Sequence, residues 1–182
     1  LAILLIFTLG GCSQMFISDE FQQIVEQASL SPEELWAIED EYEFVSNMSM
    51  YIAEKCGYGS NLDALSHEEQ VFYFVQTLEM EVNCGGFWQF LFNADEDILV
   101  NAASALSEIG AEKTASICKN AFSAFEEEIP TSRAARMLFL SKIGMEECYE
   151  ILAEFDEAFF AYEEDLNSLN YAYVHTNKES FD

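Results

Sequence analysis

Two Ser-x-x-Glu boxes, each followed by apolar residues at helical spacing, constrain this chain more than any other feature. In Ser31-Pro32-Glu33-Glu34, the serine is placed to cap a helix, the proline to open it and the glutamate to bond back. Leu35, Ile38, Tyr42, Val45, Met48 and Ile52 then recur at helical spacing, which predicts a single helix ending at Gly57 and Gly59. Ser66-His67-Glu68-Glu69 is the second box, and Val71, Phe74, Val75, Leu78 and Val82 supply its apolar stripe up to a stop at Gly85-Gly86. Further helices are expected at about 96–109, 112–124 and 132–143, with Gly110, Pro130 and Gly144 as punctuation. Two prolines and eight glycines in 182 residues are too few for the turns of an all-β protein. The expected fold is all-α: a compact multi-helix domain with a long C-terminal helix.

That last helix is read from Leu152, Phe155, Phe159, Tyr162, Leu166, Leu169 and Tyr173, whose spacings alternate between three and four. The seam runs through one long helix or two nearly collinear ones. It is expected to lie on the core, with pairing to a second copy as the alternative, because three heptads are short for a coiled coil.

Charge then limits the partners. The chain holds 34 acidic and 7 basic residues, a net charge of −27, yet it is 51% hydrophobic and 14% aromatic. That apolar content is enough for a core and argues against disorder, which requires high charge together with low hydrophobicity. Nucleic acid and anionic membrane surfaces demand clustered cations, and no Lys or Arg occurs between Lys55 and Lys113. Direct nucleic-acid binding is therefore excluded, and a basic partner remains.

At the N-terminus, the uncharged run from Leu1 to Leu9 precedes Gly10-Gly11-Cys12. The run is too short to span a bilayer but suits the core of a secretory signal. Leu9-Gly10-Gly11-Cys12 resembles a bacterial lipobox, which makes Cys12 a lipidation candidate and residues 1–14 a signal. The missing basic n-region leaves translation from Met15 as the alternative, with no anchor and a cytoplasmic location. Residues 15–60 are expected to form helices packing on the main domain, residues 61–182. Cys56, Cys84, Cys118 and Cys148 form no C-x-x-C, so neither zinc nor a redox motif is indicated. Paired or free buried states are both open to them.

One segment carries a signature. Glu79, Glu81 and Asn83 lead into Gly85-Gly86, then Phe87, Gln89, Phe90 and Asn93 follow. Glu79 and Asn83 share a helical face at i, i+4, and Gln89 and Asn93 repeat the spacing. This predicts a helical corner whose polar side chains satisfy backbone groups at the break. Leu78-Glu79-x-Glu81-Val82-Asn83-x-Gly85-Gly86-Phe87-x-Gln89-Phe90-x-x-Asn93 resembles the central motif of the bacterial DNA-mimic protein C-terminal domain family. The likeness runs on through Ala105-Leu106, Ile109-Gly110-Ala111, Phe125, Pro130, Phe155-Asp156-Glu157-Ala158-Phe159-Phe160 and Tyr162-Glu163-Glu164-Asp165-Leu166, roughly residues 60–181. Cys84 departs from the pattern, which has a small polar residue there. The resemblance implies an all-helical fold, dimerisation, and an acidic surface that imitates the DNA backbone to a DNA-binding protein such as a transcription factor.

Carboxylates at helical spacing stand about 5–6 Å apart, comparable to one phosphate per 3.4 Å of each DNA strand when two helices contribute. Candidate rows are Glu39, Asp40 and Glu43 on the second helix, and Asp156, Glu157, Glu163, Glu164 and Asp165 near the end. A rival binding reading is a lipid-anchored inhibitor or immunity-type protein that neutralises a basic nuclease or another cationic protein. An enzyme using Glu79 and Glu81 is disfavoured. His67 and His175 stand alone, and no nucleophile motif, phosphate loop or EF-hand spacing occurs. Asp95-Glu96-Asp97 fits a helix N-terminus. No cofactor or metal is implied.

Overall fold

A computed structural model describes residues 30–181, so the Cys12 lipobox and residues 1–14 lie outside the described residues, as do residues 15–29 of the N-terminal helices. Among the described residues there are eight α-helices and no strand. They are α1 (Pro32–Trp36), α2 (Glu41–Lys55), α3 (His67–Asn93), α4 (Glu96–Glu108), α5 (Glu112–Phe122), α6 (Arg133–Ile143), α7 (Met145–Phe160) and α8 (Leu166–Thr176). Helix α3 is the centre: α2, α4, α6, α7 and α8 all pack on it. No helix of the described residues is long and apolar enough to cross a membrane.

Both serine boxes cap as the spacing predicts. The Ser31 Oγ accepts from the Glu34 N–H and the Glu34 carboxylate accepts from the Ser31 N–H at 3.0 Å. At α3, the Ser66 N–H donates to Glu69 at 2.8 Å, and the other Glu69 oxygen takes Lys55 Nζ at 2.6 Å. Glu69 is 1% exposed, a buried charge that is tolerable because both oxygens are occupied. One residue thus caps α3 and ties it to the last turn of α2.

The first helix is not continuous. Its stripe breaks after Trp36, and a new helix starts where Asp40 accepts from the Glu43 N–H at 2.9 Å. The break frees backbone N–H groups that a continuous helix would bond internally, and the Asp40 cap satisfies one of them, which makes a fresh start at this point tolerable. Glu39 and Asp40 therefore lie in the connection and at the cap, not on the helix as expected.

The core has two lobes. Leu78, Val82, Phe87, Phe90 and Leu91 of α3 meet α4–α7 in the larger one. Phe44, Met48 and Ile52 of α2 meet Phe72, Val174 and Phe181 in the smaller. The C-terminal seam forms two helices broken at 161–165, where Tyr162 adopts a positive φ of 44°. Leu152, Phe159 and Leu166 are buried in the larger lobe and Phe155, Leu169 and Tyr173 pack against it, so the seam faces the core, while Tyr162 is exposed.

Candidate functional site

The glycine corner divides α3 into two helical halves, as expected: Gly85 and Gly86 both leave the helical backbone and the chain kinks between them. Gly86 has φ 69°, a left-handed conformation that side chains resist. A Cβ there would sit 2.5 Å from Asp156 Oδ2 on α7. The other Asp156 oxygen accepts the Phe87 N–H at 2.7 Å. Asp156 is thus the N-cap of the second half of α3, supplied from another helix. Burial pushes its carboxyl above the ordinary value, and the Phe87 N–H pulls the other way.

The polar residues of the motif bond one another across this bend rather than satisfying its backbone. Glu81 Oε2 accepts from Gln89 Nε2 and from Asn93 Nδ2, both at 2.9 Å, which locks the two halves together. Glu79 and Asn83 converge on Tyr162: its hydroxyl donates to Glu79 Oε1 at 3.0 Å and accepts from Asn83 Nδ2 at 2.7 Å. Burial lifts the Glu79 carboxyl above the usual range and the Tyr162 hydroxyl up to about 12. Phe87 and Phe90 fill the core beneath. The signature therefore describes a strut between α3 and the α7–α8 turn.

A second carboxylate from the chain end caps another helix. The residue before α5, Ala111, has no side chain that can cap. Glu164 takes its place, accepting from the Lys113 N–H at 3.1 Å and from the Thr114 N–H and hydroxyl at 2.8 Å. Burial raises its carboxyl, but these hydrogen bonds outweigh that and leave it below the ordinary value. Asp165 caps α8 through the Ser168 N–H at 3.0 Å, which lowers its carboxyl. Glu163 pairs with Lys113 Nζ at 2.9 Å, exposed on both sides. Of the candidate acids at this end, Asp156, Glu164 and Asp165 thus hold helix ends, while Glu157 is exposed and unbonded within the described residues.

Sequence reasoning passed over the longest unbonded row. Glu147, Glu150, Glu154 and Glu157 recur at i, i+3, i+7 and i+10 along α7, all exposed, with Glu146 beside the first. At 1.5 Å per residue, four carboxylates occupy about 15 Å of helix. The signal was the same three-and-four spacing used to find apolar stripes, applied to glutamate. Glu43 is also exposed, at the start of α2.

Several bases are committed elsewhere. Arg136 is wholly buried, donating to the carbonyls of Leu91, Ala94, Pro130 and Thr131, and so closes the C-terminal end of α3. Arg133 lies 4.0 Å from Asp95, and Lys178 sits 4.2 Å over the Trp36 ring. His67 pairs with Glu108 at 2.9 Å, while His175 packs on Tyr171 and Phe44. Cys56, Cys84, Cys118 and Cys148 are free, Cys84 alone of them exposed. Among the described residues no group of three His, Cys, Asp or Glu side chains is placed to hold a metal.

No curated protein and no solved structure matches the chain. A family model does: that of DMP19-like proteins, over residues 63–177, from the turn before α3 to the residue after α8. The matched span includes the glycine corner, Asp156 and Glu164. The chain belongs to the DMP19-like family of DNA-mimic proteins.

Proposed function

We propose that this protein is a non-catalytic acidic ligand that occupies the DNA-binding surface of a basic protein, such as a transcription factor. The observation that carries the reading is the division of labour among the acids. Asp40, Glu69, Asp156, Glu164 and Asp165 cap helices. The side chains of Glu147, Glu150, Glu154 and Glu157 form no hydrogen bond or ion pair among the described residues and stand in a row on one helix. A row of unscreened carboxylates destabilises its own fold through repulsion, and it gains a compensating role when a cationic surface neutralises it. Of the acids expected from the sequence, Glu39, Glu43, Glu157 and Glu163 are exposed and cap no helix, and so are available for this purpose. The Glu79–Glu81 cluster supports no chemistry in this reading, because each acid there is already bonded to a motif or strut side chain and the corner is packed with phenylalanine.

The test is capture from bacterial lysate at low and high salt, with wild type compared to the triple reversal Glu150→Lys, Glu154→Lys and Glu157→Lys. The reading expects a DNA-binding protein retained by wild type at low salt and lost from the variant. Retention of no basic protein at low salt refutes it. The lipobox-like Leu9–Cys12 segment favours a second version, a lipid-anchored inhibitor facing a cationic protein outside the cytoplasm. Metabolic labelling with a radioactive fatty acid separates the two: incorporation that disappears in Cys12→Ser selects the anchored form.

A further inference from the structure

A groove of about 350 Å³ runs between α5 and the end of α7, walled by Ser116, Ile117 and Asn120 on one side and Ala158, Phe159 and Ala161 on the other. Aliphatic and aromatic side chains line it together with the Ser116 hydroxyl and the Asn120 carboxamide, and Glu163, about two-thirds exposed, stands at its mouth. The unbonded row of α7 leads to it, since Glu154 and Ala158 are one helical turn apart on the same face. The mouth already holds a cation: Lys113 Nζ lies 2.9 Å from Glu163 Oε2, although both side chains are about two-thirds exposed. The chain has only seven bases, and this one stands where a partner's positive charge would come to rest.

We propose that this groove receives an arginine side chain of the basic partner, and that Lys113 is the internal competitor which that arginine displaces from Glu163. The inference rests on the acidic-ligand reading above and adds a place and a side-chain class to it. The methylenes of an arginine match the Ile117, Ala158 and Ala161 surface. Its planar fork bonds a carboxylate with two parallel donors, which the single ammonium of Lys113 cannot do. A row of surface glutamates attracts any polycation, whereas a walled slot with one carboxylate at its mouth favours one geometry.

Lys119 makes the test clean. It lies on the same helix, is exposed, and forms no ion pair among the described residues. Lys113→Gln and Lys119→Gln change net charge equally, but only the first frees Glu163. The Lys113 N–H that bonds Glu164 belongs to the backbone and survives the change. Binding of a fluorescent oligo-arginine peptide to the full chain is measured by anisotropy at low and high salt. Helix content confirms that each variant is folded. Lys113→Gln is expected to bind about two- to fivefold more tightly than Lys119→Gln, the range of one exposed ion pair. Ala161→Trp, at an exposed helix-end position, is expected to fill the groove and weaken binding below wild type. Equal affinities of the two lysine variants, or an unchanged Ala161→Trp, overturn the groove assignment while salt-sensitive binding leaves the acidic-ligand reading standing. Absence of peptide binding by wild type at low salt overturns both.

Discussion

Removing the Asp156 carboxylate tests the corner of α3 directly. Asp156→Ala deletes the acceptor of the Phe87 N–H, at 2.7 Å; Phe87 is fully buried and Asp156 half-buried. An unsatisfied buried donor costs about 1–3 kcal/mol, and loss of an aspartate N-cap about 0.5–2. The burial that raises the Asp156 carboxyl shows that the wild type already bears some desolvation cost. The net loss is therefore expected near the middle, about 1–2 kcal/mol. For a domain of this size, that is roughly 2–8 °C in melting temperature. Gly86→Ala meets two penalties: about 1–2 kcal/mol for the left-handed backbone, and a Cβ 2.5 Å from Asp156 Oδ2. Deleting the carboxylate relieves the second penalty but not the first. Urea unfolding followed by helical circular dichroism, applied to both single variants and the double, should show Gly86→Ala costing less in the Asp156→Ala background by at least about 0.5 kcal/mol. A fully additive cycle, or Asp156→Ala unfolding at the wild-type midpoint, refutes the account of the bend.

Arg136→Met keeps the length of the side chain but removes the donors to four carbonyls, and a loss of roughly 2–4 kcal/mol is expected by the same assay. Glu164→Ala strips the cap of α5 and should cost about 1 kcal/mol at neutral pH. Its carboxyl lies below the ordinary value when folded, so its contribution is present above the unfolded pKa and disappears as pH falls through the folded one. Glu79 behaves oppositely. Burial raises its folded pKa, so the fold prefers it protonated and loses that stability as pH rises through the folded value. Glu79→Gln keeps an acceptor for the Tyr162 hydroxyl, and it is expected to match or exceed wild type at about pH 7 while lacking part of the gain that wild type shows on acidification towards about pH 5. A Gln variant whose pH profile superimposes on that of wild type contradicts the assignment.

Local signals were legible and remote ones were not. Ser31 and Ser66 were readable because a capping box is complete within four residues. Leu35 to Tyr42 misled because apolar spacing carries no information on whether Asp40 prefers to cap. Gly85-Gly86 was correctly placed as a break, yet the helix resumes because Asp156, on a helix far along the chain, supplies the missing acceptor. The acids show the same limit. Nothing local distinguishes Glu164, which caps a helix fifty residues earlier, from Glu154, which bonds nothing. The α7 row itself was readable from its spacing alone. Membership of the family was legible because the residues of its motif bond one another within one bend, so their spacing is fixed by a local geometry.

The central claim is that the unbonded carboxylates stand in for DNA phosphates. The direct measurement is competition on a captured basic partner: labelled duplex DNA is bound to it, and this protein is titrated in while anisotropy reports the DNA. The account predicts complete displacement, weakening steeply with salt and lost in the Glu150→Lys, Glu154→Lys, Glu157→Lys variant. A stable complex of partner, DNA and this protein together would contradict it.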